Sequence, residues 1–239
     1  MFHNNKGGVG KTLLTTNLAI YLGKQGKKVL IIDFDTQRSI TWNFTDSMLL
    51  ESFKMLQPYE KPEVIKTLEE NVWILPADNR AIPPFEIPDM EDSFIEKEKE
   101  IFNNFDYIFF DVKPGWEKPT IISYKFADSI ILVSDGSSDS KRLLLERNKN
   151  WSKATSNRNL PNNIKAVLLN NFDPKTKQHK VTKKLLEKDV GQYLLKTIIP
   201  TKKTIENSPN RGQKRMFELV WWKDIFLKLV EELKERGIL

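Results

Sequence analysis

The chain has 239 residues, a formal net charge of +6 and no cysteine. That length allows one α/β domain with a sizeable core, and the missing cysteine excludes disulfides, thiolate metal sites, cysteine-held iron–sulfur clusters and a cysteine nucleophile. Only His3 and His179 are present, too few for a histidine metal site, and no apolar run approaches the roughly 20 residues of a membrane span.

Only Met1-Phe2-His3 precedes the first motif, which is short for a strand and points to a native start upstream. Asn4-Asn5-Lys6-Gly7-Gly8-Val9-Gly10-Lys11-Thr12 then reads as a phosphate-binding loop feeding a helix. Backbone N–H groups can approach a polyphosphate closely where glycine removes the Cβ, as at Gly7, Gly8 and Gly10. Lys11 reaches the outer phosphates and the Thr12 hydroxyl can ligate Mg²⁺. The spacing predicts a helix from Thr12 to Gln25, with Leu14, Leu18, Tyr21 and Leu22 on one face and a positive dipole end at the phosphates.

Lys28–Asp33 reads as a buried strand ending in Asp33-Phe34-Asp35-Thr36-Gln37, and two carboxylates at a strand end can hold a metal shell and an attacking water. Ile40–Leu56 is expected to form one or two short helices, Val72–Leu75 a strand, Pro76–Pro88 an irregular surface run, and Glu91–Phe105 a charged helix with Phe94, Ile95, Ile101 and Phe102 as its apolar side. Asp106–Asp111 is a second buried strand ending in an acid, followed by Val112-Lys113-Pro114-Gly115-Trp116. Ala127–Val133 and Ile164–Leu169 are further strands, separated by the loop Ser134–Ser140 and a helix carrying Leu143, Leu144, Leu145 and Trp151. A helix is expected over Thr176–Asp189 with Val181, Leu185 and Leu186 as its apolar positions, then the strand Tyr193–Pro200. Phe217–Glu235 is strongly amphipathic through Leu219, Trp222, Phe226, Leu229, Val230 and Leu233.

Charge is unevenly spread. Asp46–Asp128 holds 18 acidic and 9 basic residues, whereas Lys175–Arg215 holds 12 basic and 3 acidic ones. A basic C-terminal third is the footprint of a polyanion partner or of a lysine-rich solvated surface.

The run Lys6-Gly7-Gly8-Val9-Gly10-Lys11-Thr12 resembles the deviant Walker A motif of the partition (ParA), division-site (MinD) and nitrogenase-iron-protein ATPases, with Asn5 where the common P-loop has its first glycine. The resemblance implies an α/β fold: a mostly parallel sheet with helices on both faces, in one ATPase domain over residues 1–239 without a separate N-terminal DNA-binding domain. It implies ATP and Mg²⁺ as cofactors, nucleotide contacts from Lys6 to Thr12 and Leu13, and catalytic roles for Lys6, Lys11 and Asp35. In that superfamily the early lysine crosses a dimer interface to the partner's nucleotide, which falls on Lys6, and the second strand-end aspartate orients water, which falls on Asp35. Thr12, Asp35 and Asp111 become the metal set, Asn170 an adenine contact, and Pro200 a base neighbour. Thr36 replaces the family's usual proline, and Val112 and Lys113 depart from its pattern after the Walker B acid, so Lys113 either meets the γ-phosphate region or points to solvent.

Among the branches the chain looks most like a small ParA/Soj-type partition ATPase. That implies an ATP-dependent homodimer, non-specific DNA as partner (through Lys177, Lys180, Lys183, Lys184, Lys202, Lys203, Arg211, Lys214 and Arg215), a centromere-binding ParB-like protein that stimulates turnover, and a cytoplasmic location. The alternatives are a MinD-like positioning ATPase that inserts its C-terminal helix in a membrane surface, disfavoured by Glu231, Glu232 and Glu235, a metabolic P-loop enzyme, and a nucleotide switch with weak hydrolysis.

Overall fold

The computed structural model describes residues 1–79, 85–157, 162–201 and 215–239. In chain order its elements are β1 (Phe2–His3), α1 (Lys11–Lys24), β2 (Val29–Asp33), α2 (Ser39–Phe44), β3 (Ile65–Lys66), β4 (Val72–Leu75), α3 (Ile87–Ile101), β5 (Tyr107–Asp111), α4 (Lys118–Phe126), β6 (Ile130–Ser134), α5 (Ser138–Asn157), β7 (Ile164–Phe172), α6 (Lys177–Val190), β8 (Leu194–Pro200) and α7 (Val220–Glu235). Short 3-10 turns lie at Ser52–Leu56, Phe102–Asn104 and Met216–Glu218. The class is α/β and mostly parallel, as the alternation of strand and helix predicts.

Two compact units make up the chain: Met1–Lys11 with Ala127–Leu239, and Thr12–Phe126. The first contains the sheet β1-β6-β7-β8, parallel throughout. β1 forms despite its two residues, because Phe2 and His3 pair with Ile131 and Leu132 and both are buried. The second unit contains the sheet β3-β4-β2-β5. All five residues of β2 are buried, as an unbroken apolar run between two parallel neighbours requires. Its antiparallel edge β3, unforeseen from two residues of sequence, closes the sheet beside β4.

Three expectations need correction. Helix α3 begins at Ile87, within the run expected to be irregular. Pro88 sits in its first turn, where proline costs no helical hydrogen bond. Ile95 points outward, and Lys97 takes an inner position by donating to the Gln57 carbonyl at 2.7 Å. On α6 the buried positions are Thr182, Leu186 and Val190, while Val181 (44% exposed) and Leu185 (40%) face solvent. Leu186 is buried as expected, and Thr182 and Val190 complete the inner face in place of Val181 and Leu185.

Helix α7 buries Trp222, Phe226, Leu229, Val230 and Leu233, as its spacing predicts. Its Glu232 carboxylate accepts the backbone N–H of Lys196 (2.7 Å) and Thr197 (2.9 Å) on β8, and the Arg236 guanidinium bonds both Glu232 (3.1 Å) and the Leu194 carbonyl (2.9 Å). Burial pushes the Glu232 carboxyl up, but those backbone bonds and Arg236 together hold it below the usual range. Among the described residues no helix is long and apolar enough to cross a membrane.

Candidate nucleotide site

The loop between β1 and α1 is pinned by side chains from far along the chain. The Asn4 amide donates to the Val133 carbonyl (2.7 Å) and to Ser140, while its Oδ1 accepts the Lys6 N–H at 2.9 Å. Asn5, at the place of the common first glycine, receives the Arg147 guanidinium of α5 at 3.0 Å. Its backbone is not among the positive-φ residues, so nothing there demands glycine. Gly8 (φ 73°) and Gly10 (φ 95°) are left-handed, and a Cβ on Gly10 would lie 2.2 Å from Asn170 Nδ2. Asn170, buried at the end of β7, donates that amide to the Val9 carbonyl at 2.7 Å. Its side chain therefore holds the loop.

Gly7 and Gly8 border open backbone, Val9 is wholly buried, and Lys11 opens α1 as a buried cation. Burial and the charges of Lys11 and Arg147 push the His3 pKa well below its ordinary value. Lys6 turns its ammonium onto Asp135 and Ser137 Oγ (3.0 Å) of the same unit.

Thr12, in the other unit, donates its hydroxyl to Asp111 Oδ2 at 2.8 Å, and Leu13 follows on α1. Asp111 sits in register with Asp33 across β5 and β2. Asp33 accepts the Asp35 N–H (2.9 Å), the Thr41 N–H (3.1 Å) and the Thr41 hydroxyl (2.6 Å). Burial, then the Asp111 charge, raises the Asp33 pKa well above the carboxylate range against those bonds. Two buried acids that repel each other beside a hydroxyl form a donor set that a hard divalent cation would relieve, so Thr12 and Asp111 fit Mg²⁺. A cluster of three protein ligands is not needed when phosphate and water complete the shell.

Asp35 lies just past the end of β2 and is half-buried; its carboxylate accepts the Gln37 N–H at 2.9 Å. The turn it begins ends at Arg38, left-handed at φ 58°, whose buried guanidinium donates to the Ala77 (2.6 Å) and Ser47 (2.8 Å) carbonyls. Sequence reasoning missed this anchor, whose carbonyl partners leave no motif. Val112 is buried, and Lys113 pairs with Glu117 at 2.7 Å.

Pro200 ends β8 opposite Phe172, and Thr201 next to it donates its N–H to Phe172 (3.0 Å) and its hydroxyl to the carbonyl of left-handed Asn171 (2.6 Å). Lys177, Lys180 and Lys184 are exposed on α6, and half-exposed Lys183 pairs with Glu187 at 3.5 Å. Arg215 begins the turn before α7. Lys202, Lys203, Arg211 and Lys214 lie outside the described residues.

A family model described as an AAA domain (AAA_31) matches residues 1–160. An uncharacterized protein of Borreliella burgdorferi is 34% identical over 137 residues, 51% of this chain and 54% of that protein, so the match spans about half of that relative. The chromosome-partitioning ATPase Soj of Treponema pallidum is 25% identical over 221 residues, 89% of this chain and 86% of that protein. The solved structure of apo McdA from Cyanothece has a TM-score of 0.81 at 17% identity and covers 97% of both chains, a likeness of fold.

Proposed function

This chain belongs to the AAA domain family AAA_31, of ParA/MinD-type P-loop ATPases, and we propose that it is an ATP-dependent dimerising ATPase of plasmid or chromosome partitioning that binds DNA without sequence preference. The observation that carries this reading is one loop bearing two lysines with different settings: Lys11 buried at the head of α1, Lys6 partly exposed ahead of the glycines. In this reading one cation serves the chain's own nucleotide and the other a second copy's. Near full-length similarity to Soj supports partitioning over other branches of the family.

In this reading residues 1–239 work as one cytoplasmic ATPase domain. Gly7, Gly8, Val9, Gly10, Lys11, Thr12 and Leu13 bind ATP, and Asn170 and Pro200 bound the base end. Thr12 and Asp111 would hold Mg²⁺, with Asp35 as a further candidate ligand. The chemistry a bound Mg²⁺ supplies is neutralisation of charge on the transferring phosphate. Asp35 orients the attacking water. Two protomers close face to face, and each Lys6 stabilises charge on the other's phosphates, a cation supplied in trans. Pairing also doubles the number of candidate DNA-contacting residues, Lys177, Lys180, Lys183, Lys184, Lys202, Lys203, Arg211, Lys214 and Arg215, which raises DNA affinity through effective concentration. A centromere-binding ParB-like protein accelerates hydrolysis and resets the monomer. Membrane attachment through α7 loses support because Trp222, Phe226, Leu229, Val230 and Leu233 are buried, although Val220 and Trp221 at its start are exposed.

Light scattering with a non-cleavable ATP analogue tests the core of this reading. The wild type should dimerise, Lys6→Ala should bind nucleotide as a monomer, and a Lys6→Ala dimer of wild-type strength would refute the trans role. Duplex binding should require ATP and weaken steeply with salt through counterion release.

A further inference from the structure

Lys6 has a built seat on its own chain. Its ammonium bonds Asp135 Oδ2 and lies 3.0 Å from Ser137 Oγ. Ser137 donates its N–H (3.1 Å) and its hydroxyl (2.7 Å) to the other carboxylate oxygen, Asp135 Oδ1, which turns Oδ2 toward the lysine. The segment is itself braced: the Ser140 N–H donates to Ser137 Oγ at 3.2 Å, and the Asp135 N–H to Ser140 Oγ at 3.3 Å. Asn4 grips the backbone of Lys6 and the same segment at once. The Lys6 ammonium is thus held by the stretch between β6 and α5, and its backbone by Asn4, which is itself bonded to the end of β6 and the first turn of α5.

The Asp135 side chain is only 14% exposed, against 33% for Lys6. Burial raises the Asp135 pKa, yet the bonds from Lys6 and Ser137 outweigh it and leave it below the carboxylate range. An ionised, part-buried acid with one oxygen saturated by its neighbours is a directional acceptor for a single cation.

We propose that Asp135, oriented by Ser137, is the positioning residue for Lys6: it seats the lysine in cis in the monomer, and dimerisation exchanges this carboxylate for the partner's phosphates. The proposal rests on the trans-lysine reading above. Face-to-face approach brings two identical cations together, and a paired acid on each chain cancels that repulsion until a stronger anion is in reach. The seat also opposes the final step, since the ammonium must leave one charge-assisted bond to make another.

Two readouts separate the seat from the dimer. The first is the acylation rate of the Lys6 amine, measured without nucleotide by competitive labelling and peptide mass spectrometry. Asp135→Asn should raise it several-fold, Ser137→Ala less, and unchanged rates in both variants would overturn the seat. The second is the protein concentration at the dimer midpoint with a non-cleavable ATP analogue. Asp135→Asn should lower that midpoint by about three- to tenfold, and the shift should vanish in a Lys6→Ala background. An equal shift in both backgrounds would show that Asp135 acts elsewhere and overturn the proposal. Faster labelling with no dimer in any variant upholds the seat and overturns the exchange, together with the reading it rests on.

Discussion

The loop from Asn4 to Gly10 and the strand ends carrying Asp33 and Asp111 bury charge in opposite ways. Around the loop, cations and amides meet complementary groups contributed by residues more than 100 positions away: Ser140, Arg147, Asn170 and Asp135. At the strand ends, two acids face each other in register, with Thr12 donating to one and Asp35 and Thr41 to the other. The side chains of Asn4, Asn5 and Lys6 meet partners within their own unit, whereas the acid pair carries a repulsion that a metal ion would relieve. Their titrations run in opposite directions. Folded Asp33 holds its proton more tightly than the unfolded chain, so its contribution to stability is full below the unfolded value of 3.8 and is lost as pH rises through the raised folded value. Folded Asp135 holds its proton less tightly, so its contribution is full above 3.8 and is lost as pH falls through the lowered one.

The contrast can be broken most severely at Lys11. Lys11→Ala should reduce ATP turnover on the order of 100-fold or more, since it withdraws the main cation at the transferring phosphate; turnover within tenfold of wild type would mean that another residue does this work. Next is Gly10→Ala, which forces a Cβ into φ 95° and against Asn170, at a cost of about 2–4 kcal/mol by chemical denaturation. Adding Asn170→Ala should return the steric part and leave the strain. On the acid side, Thr41→Val removes a hydroxyl bonded to Asp33 and should cost about 1.5–3 kcal/mol where Asp33 is ionised. Urea titrations across pH should show this cost shrinking in acid, and a constant cost would contradict the proposed environment of Asp33. Smaller still, Lys180→Ala with Lys184→Ala should reduce the slope of log K against log salt for DNA binding by about 1.8, near 0.9 per contact. Lys113→Ala should change stability by less than about 0.5 kcal/mol, because its partner Glu117 is itself part-exposed.

Much of this was legible in the sequence, and the reasons differ by element. The phosphate loop, β2 and β5 announce themselves through glycine spacing and apolar runs that end in an acid, signals confined to a few consecutive residues. Helix α3 starts earlier than its sequence pattern suggests because the first helical turn tolerates Pro88. The exposed side of α6 was misjudged because Val181 and Leu185 stand between lysines, and hydrophobicity alone does not say which way a mixed stripe turns. The seat of Lys6 and the grip of Asn170 on Val9 were invisible for a different reason. Each joins residues separated by 129 or more positions, and neither Asp135 nor Asn170 lies in a motif that demands such a partner.

The hold of Glu232 and Arg236 on β8 reaches beyond the fold's own stability. That strand ends its sheet, and an uncovered margin offers a ready template on which another molecule can lay down a strand. Two of its backbone donors are instead engaged by a carboxylate from the last helix. A Glu232→Gln protein, stripped of that charge, would lose part of its guard against self-association through strand addition, and clumping rather than failed catalysis would be its first symptom.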